Sequence, residues 1–252
     1  MQRRTAILLA GLGAVGSATL YGASRVVDRR RTGAAAPYEP LGSVEIEEGT
    51  TDAVTGDDGS VAYVATTTGY ATVDLADPTD PTVLADIREP LADHPGGPLR
   101  EIYDVSVSGD RLLVVGPAND STPGLRAALI VDVADPAEPT HLGVFETEYH
   151  LHNCVVDGDY AYLCGNEMGR NPLVILDIAD PTDPQEIARW SLLDVEPEWE
   201  PVDPLLRYLH DVWVRDGLAV LPYWDAGTWL VDVSDPSNPT LLSQFGHYEP
   251  TD

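Results

Sequence analysis

The sequence predicts an all-β fold, a β-propeller of four-stranded antiparallel blades with four repeats. Two observations carry this expectation. The segment Val73-Asp74-Leu75-Ala76-Asp77-Pro78-Thr79-Asp80-Pro81 returns at Val131–Pro139, Leu176–Pro184 and Val231–Pro239, with copies 58, 45 and 55 residues apart. Recurrence at roughly 40–50 residues marks one supersecondary unit stacked on copies of itself. The same set of short apolar runs also surrounds each copy. A sandwich uses short strands too, but it does not predict the same strand set four times over.

The first run of each repeat opens on a polar pair: Thr51-Asp52, Tyr103-Asp104, His152-Asn153 and His210-Asp211. A Gly/Asp turn follows, as at Gly109-Asp110 and Gly158-Asp159, and then a second apolar run. Two β-rich runs around such a dipeptide form a hairpin, because Gly and Asp tolerate the positive φ of tight turns. The third run ends on Asp74, Asp132, Asp177 or Asp232, and its continuous apolar character suits a strand buried on both faces. The Asp-Pro-x-x-Pro turn closes it: Asp bonds the turn backbone and Pro presets φ. The second Pro lacks a donor and opens an outer edge strand, such as Leu142–Phe145.

The apolar-Val-Ile-Val-Asp run followed by Asp-Pro resembles the LVIVD-repeat family. The resemblance covers about residues 40–247. It implies a secreted or surface-associated propeller and no settled reaction.

These runs divide the chain into an export signal or membrane anchor with its linker at residues 1–36, and a propeller over 37–252. Blades are expected at about 51–90, 102–148, 151–193 and 209–247. An additional outer strand is expected at 41–47, because Leu41-Gly42-Ser43-Val44 repeats the pattern of Leu142-Gly143-Val144-Phe145. That makes five outer strands against four inner sets. Three arrangements accommodate the count: a fragment of a longer propeller, an open arc that closes by self-association, or a four-bladed ring with one redundant strand. The first two are favoured, since an open arc exposes apolar blade faces that invite pairing.

The chain carries 42 acids against 14 basic residues, all of them Arg. Six Arg lie within residues 1–31, so the remainder holds 41 acids against eight Arg, a formal charge of −33. This excludes nucleic acid, whose binders need a basic footprint, and disfavours anionic membrane surfaces. The balance resembles that of haloarchaeal proteins, in which concentrated salt screens self-repulsion. The N-terminus, Arg3-Arg4 followed by the uncharged Thr5–Ser24, resembles a twin-arginine export signal. The same stretch is long enough for an uncleaved membrane anchor, and Gly33–Ala36 offers a cleavage site. The expected location is extracellular or at the cell surface, with membrane contact only through this segment.

Cys154 and Cys164 flank the Gly158-Asp159 turn. A two-residue loop pairs 157 with 160 and 154 with 163, which puts Cys164 on the opposite side from Cys154. Two buried thiols are therefore favoured over a disulfide.

The long connections, Arg88–Glu101, Gly116–Arg126, Gly165–Asn171, Ser191–Leu209 and Pro222–Gly227, all fall on one face of a propeller. A ligand is expected there. Asp52, Asp104, Asn153 and Asp211 recur in every blade, so backbone capping explains them better than a Ca²⁺ ring. Tyr103, His152 and His210 differ between blades and are better candidates. With His150, His247 and Asp211 they offer a nitrogen/oxygen set for Zn or Cu. Trp199, Tyr223 and Trp224 lie in the long loops and suit glycan or protein contact. No catalytic motif is present. The leading expectation is a binding module for a protein, glycan or other surface ligand. The alternative is a metal-dependent hydrolase or oxidase using His152 and His210.

Overall fold

The computed structural model describes residues 39–47, 49–119 and 123–246. The chain divides into two units, Met1–Glu39 and Pro40–Asp252. The second unit is all-β. Its strands form four antiparallel sheets, each of four strands in sequence order. Blade 1 contains β1 (Thr50–Thr55), β2 (Val61–Thr66), β3 (Gly69–Asp74) and β4 (Thr82–Arg88). Blade 2 contains β5 (Asp104–Ser108), β6 (Arg111–Gly116), β7 (Ala127–Asp132) and β8 (Thr140–Glu146). Blade 3 contains β9 (His150–Asp157), β10 (Tyr160–Asn166), β11 (Leu173–Asp177) and β12 (Gln185–Trp190). Blade 4 contains β13 (Trp213–Arg215), β14 (Leu218–Tyr223), β15 (Gly227–Asp232) and β16 (Thr240–Phe245).

Both aspartates of the repeated motif are consumed by the backbone. The Asp74 carboxylate accepts from the Ala76 N–H at 2.8 Å, and Asp77 accepts from the Thr79 N–H at 3.0 Å. The same pair of bonds recurs at Asp132 and Asp135, Asp177 and Asp180, and Asp232 and Asp235. The hydroxyls of Thr79, Thr182 and Ser234, together with these N–H groups, hold the carboxyls of Asp77, Asp180 and Asp232 below the usual value. Each motif also ties back to the hairpin of its own blade, as in Val133 N–H to Asp110 C=O and Ile178 N–H to Asp159 C=O. These carboxylates are scaffold.

The hairpin registers follow the turn chemistry. Asp157 pairs with Tyr160 and Cys154 with Leu163, around Gly158 at φ +58°. Cys154 therefore packs toward blade 2 and Cys164 toward blade 4, and both are buried free thiols.

Three apolar cores lie between consecutive blades. Tyr63, Ala65 and Tyr70 meet Leu112, Val114 and Leu129 between blades 1 and 2. Leu113 and Ile130 meet Leu163 and Leu176 between blades 2 and 3. Tyr162 and Ile175 meet Leu221 and Trp229 between blades 3 and 4. Among the described residues no core joins blade 4 to blade 1. Blade 4 bears the mark of an end: β14 and β15 alternate buried and half-buried residues, whereas β7 and β11 are buried on both faces up to their final Asp.

The outer strand expected at 41–47 is not present; these residues form no strand. The segment nevertheless sits where the pattern placed it. Gly42 lies so close to the blade 1 turn that a Cβ there would be 2.7 Å from the Pro78 carbonyl oxygen. Gly143 in β8 meets the blade 3 turn in the same way, where a Cβ would collide with the Pro181 carbonyl. Gly143→Val is expected to cost about 1–3 kcal/mol through this clash with backbone. Thermal melts should then show a midpoint lowered by roughly 3–10 °C.

Candidate functional site

The loop face is built mainly by the connection from β12 to β13. It begins with two 3₁₀ turns, Leu192–Asp194 and Pro197–Trp199, the first closed by a capping box between Ser191 and Asp194. Beyond them the loop is held by buried polar groups. The Arg207 side chain donates to the carbonyls of Val202 at 3.1 Å, Glu200 at 3.4 Å and Gly169. Asn171 donates to the carbonyls of Pro204 at 2.9 Å and Arg207 at 3.1 Å. The loop end is then laced to the end of β14: His210 N–H to Pro222 C=O, Trp224 N–H to Tyr208 C=O, and Asp225 N–H to Leu206 C=O.

This lacing gathers five rings from three blades. His152 lies at the centre, with ring centroids 5.0 Å from His210, 6.1 Å from Tyr208 and 6.3 Å from Tyr103. Trp224 completes the circuit at 5.2 Å from Tyr208 and 6.1 Å from His210. Tyr208 is buried, Tyr103 and His152 are half-buried, and His210 and Trp224 are exposed, Trp224 at 51%. The rings form a platform open to solvent at the His210 and Trp224 end.

Asn166 fixes the two histidines. Its buried amide accepts from the His152 N–H at 3.1 Å and donates to the Leu209 carbonyl at 2.8 Å. The His152 Nδ1 bonds the Ala118 carbonyl at 3.1 Å, so it carries the proton and Nε2 holds the lone pair. Burial holds the His152 pKa below the ordinary 6.5, the neighbouring His210 lowers it further, and the Ala118 bond opposes. The ring is neutral at pH 7.

Below the rings sit the repeated acids. Asp104 is buried and accepts from the Cys154 N–H of blade 3 at 2.6 Å. Ser106 and Ser108 continue this seam, accepting from Val156 N–H and Gly158 N–H. Burial pushes the Asp104 carboxyl well above its usual value, and Asp52 and Asp211 push the same way. Asp211 is exposed and accepts from the Val212 N–H at 2.7 Å, while Asn153 is half-buried. The sign for Asp104 is that of a raised pKa. Its contribution to stability is full below the unfolded value near 3.8 and is lost as pH rises through the folded value. Asp104→Asn keeps an acceptor for Cys154 and removes the charge. It should raise the melting midpoint at pH 8 by on the order of 5 °C, with little change at pH 4.

Several expected site residues are placed elsewhere. Trp199 and Tyr223 are buried at 2% and 3% exposure and cannot contact a ligand. Trp199 packs in the core between blades 3 and 4. Tyr223 lies in the same core and donates its hydroxyl to the Asn171 carbonyl. His150 is buried, stacked on Tyr208 and bonded to its hydroxyl at 3.0 Å. His247 lies outside the described residues. Among the described residues no three His, Cys, Asp or Glu side chains converge as metal ligands. The donors that do meet are His152 and His210.

Stacked four-stranded blades with a ring platform on the loop face define a β-propeller-type protein. Residues 151–191 and 207–246, most of blades 3 and 4, match the LVIVD repeat. No curated protein matches the sequence. Among solved structures, the chain is similar to a functionally unknown protein from Desulfotomaculum acetoxidans DSM 771, with a TM-score of 0.60 at 10% identity. That alignment covers 81% of this chain and 58% of the other, so the chain spans little more than half of that protein's length. The N-terminal domain of Nup159 aligns with a TM-score of 0.46 at 10% identity, covering 76% of this chain and 47% of that one. Kluyvelomyces marxianus Hsv2 aligns at 0.43 and 9%, covering 77% and 50%. At 10% identity the likeness to the Desulfotomaculum acetoxidans protein is one of fold alone.

Proposed function

We propose that the protein is an exported, cell-surface binding module that presents its loop face to a ligand. The observation that carries this reading is the five-ring platform. It is made where the blades differ, at Tyr103, His152 and His210, while the acids that recur in every blade cap turns and strand edges. Rigid aromatic side chains offer a large contact area at low entropic cost, which suits recognition. Export rests on the Arg3-Arg4 pair and the apolar stretch behind it. The acidic surface favours a partner that is neither nucleic acid nor anionic membrane.

Cosedimentation with cell envelopes tests the binding reading. The wild-type chain is expected to pellet with envelopes, and His210→Ala/Trp224→Ala to stay in the supernatant. Equal pelleting of both, or of neither, overturns the reading. Replacing Arg3 and Arg4 by Lys should retain the protein inside cells; unchanged export would remove that part of the proposal.

The second reading is a metal-dependent hydrolase or oxidase. It is favoured by one observation, the His152 Nε2 lone pair beside His210. Zinc or copper titration separates the two readings. Equal, weak uptake by wild type and His152→Ala/His210→Ala is expected of a binding module, and uptake lost in the variant is expected of a metal site.

A further inference from the structure

The loop that closes the ring platform also presents an apolar strip, and the strip narrows the partner class on the premise that the loop face is a binding surface. Leu205 and Leu206 are 45% and 43% exposed, and Trp224 is exposed with them. Backbone bonds hold the three together: Asp225 N–H to Leu206 C=O at 2.8 Å, Trp224 N–H to Tyr208 C=O at 3.1 Å, and Tyr208 N–H to Leu205 C=O at 3.3 Å. The Asp203 carboxylate accepts from the Leu205 N–H at 2.9 Å. The strip therefore carries two exposed acids within its own hydrogen bonds, Asp203 and Asp225. Residues 191–211 hold six acids and one arginine. That arginine, Arg207, is 4% exposed and turned onto the carbonyls of Val202, Glu200 and Gly169. The buried bonds of Arg207 and Asn171 pin the loop with both leucines outside. Exposed apolar side chains rimmed by polar groups mark an interaction site.

We propose that this strip docks a cationic peptide segment of another protein, one whose aliphatic or aromatic side chains are spaced by Arg or Lys. Its apolar side chains cover Leu205, Leu206 and Trp224, and its cations meet Asp203 and Asp225. A second copy of this chain, with a formal charge of −28, brings like charge to the strip. A glycan brings hydroxyls, for which two leucine side chains offer no partner. Concentrated salt screens charges beyond contact range and leaves apolar contact in place. The leucines therefore supply most of the affinity, and the carboxylates select the sign of the partner.

The test uses the full chain in concentrated NaCl with dye-labelled synthetic peptides, read by fluorescence anisotropy and calorimetry. The first peptide carries leucine, phenylalanine and arginine. The second replaces each arginine by glutamate, and the third keeps the arginines and replaces the apolar residues by serine. Saturable binding of the first alone is expected. Leu205→Ser/Leu206→Ser should weaken it by about tenfold or more. Asp203→Asn/Asp225→Asn should weaken it by about two- to fivefold, and Asp203→Asn keeps an acceptor for the Leu205 N–H. Circular dichroism confirms that the variants are folded. Equal binding of the glutamate or the serine peptide overturns the proposal, as does binding indifferent to Leu205 and Leu206. If no peptide binds while envelope cosedimentation persists, the cationic-peptide class is wrong and the module reading stands. If cosedimentation fails as well, both fall.

Discussion

At about 50 mM NaCl the protein is expected to lose its β-sheet circular dichroism signal, and in about 2 M NaCl to regain it. The physical ground is the charge of −33 carried by residues beyond 31, where 41 acids face eight arginines. Most of those arginines are already paired, as Arg111 with Asp159 and Arg189 with Glu186, so they leave most of the acids uncompensated. Repulsion between exposed carboxylates reaches across the surface when the Debye length exceeds about 10 Å, and is cut to neighbours when it falls to about 3 Å. The cores are also thin: each is a single layer between two sheets. Stability of roughly 5–15 kcal/mol is typical for a folded chain, so a repulsive difference of a few kcal/mol decides the outcome. The melting midpoint should rise by roughly 10 °C or more as salt increases over this range. The rise should be similar in NaCl and KCl, because screening depends on ionic strength. A melting curve unchanged between the two salt levels would show that the acidic surface is not an adaptation to salt.

The scaffold was legible because its signals are local. An Asp two residues before the N–H it caps is visible in a nine-residue window, and it recurs four times. The 154–163 register follows from one two-residue turn and the alternation of side chains along a strand. The platform was half legible. Tyr103, His152 and His210 stood out because they break a repeat, and stacked blades bring equivalent positions together. Tyr208, Asn166, Asn171 and Arg207 did not stand out, because each has a partner 33 to 58 residues away that follows no repeat. The misplacement of Tyr223 was avoidable. It shares strand parity with Ala219 and Leu221, both fully buried, whereas Trp224 has the opposite parity. Trp199 gave no such cue, since a three-residue 3₁₀ turn has no period to read.

In concentrated salt the protein is expected to form a dimer whose population rises with concentration, through the open face of blade 4. In blades 1 to 3 the face toward the next blade is covered by that blade; in blade 4, among the described residues, no blade covers it. The pairing registers place Trp213, Val220 and Leu230 in one row and Phe245 on the same side. Trp213 is 50% and Phe245 57% exposed. Arg215 and Asp232 share the next row through Leu218, so a second copy related by a two-fold axis offers opposite charges as well as apolar contact. A face four strands wide and six residues long spans roughly 20 Å by 20 Å. That is about half of the ~800 Å² per partner found in standard interfaces, so the dimer is expected to be reversible. Trp213→Glu/Phe245→Glu alters two exposed positions and leaves the core intact. Light scattering should report a mass that doubles with concentration for wild type and stays monomeric for the variant, with matching circular dichroism. A wild-type chain that remains a compact monomer at the highest concentration would mean that this face tolerates water. The exposed Trp213 and Phe245 would then be scattered surface residues of the kind any folded chain carries.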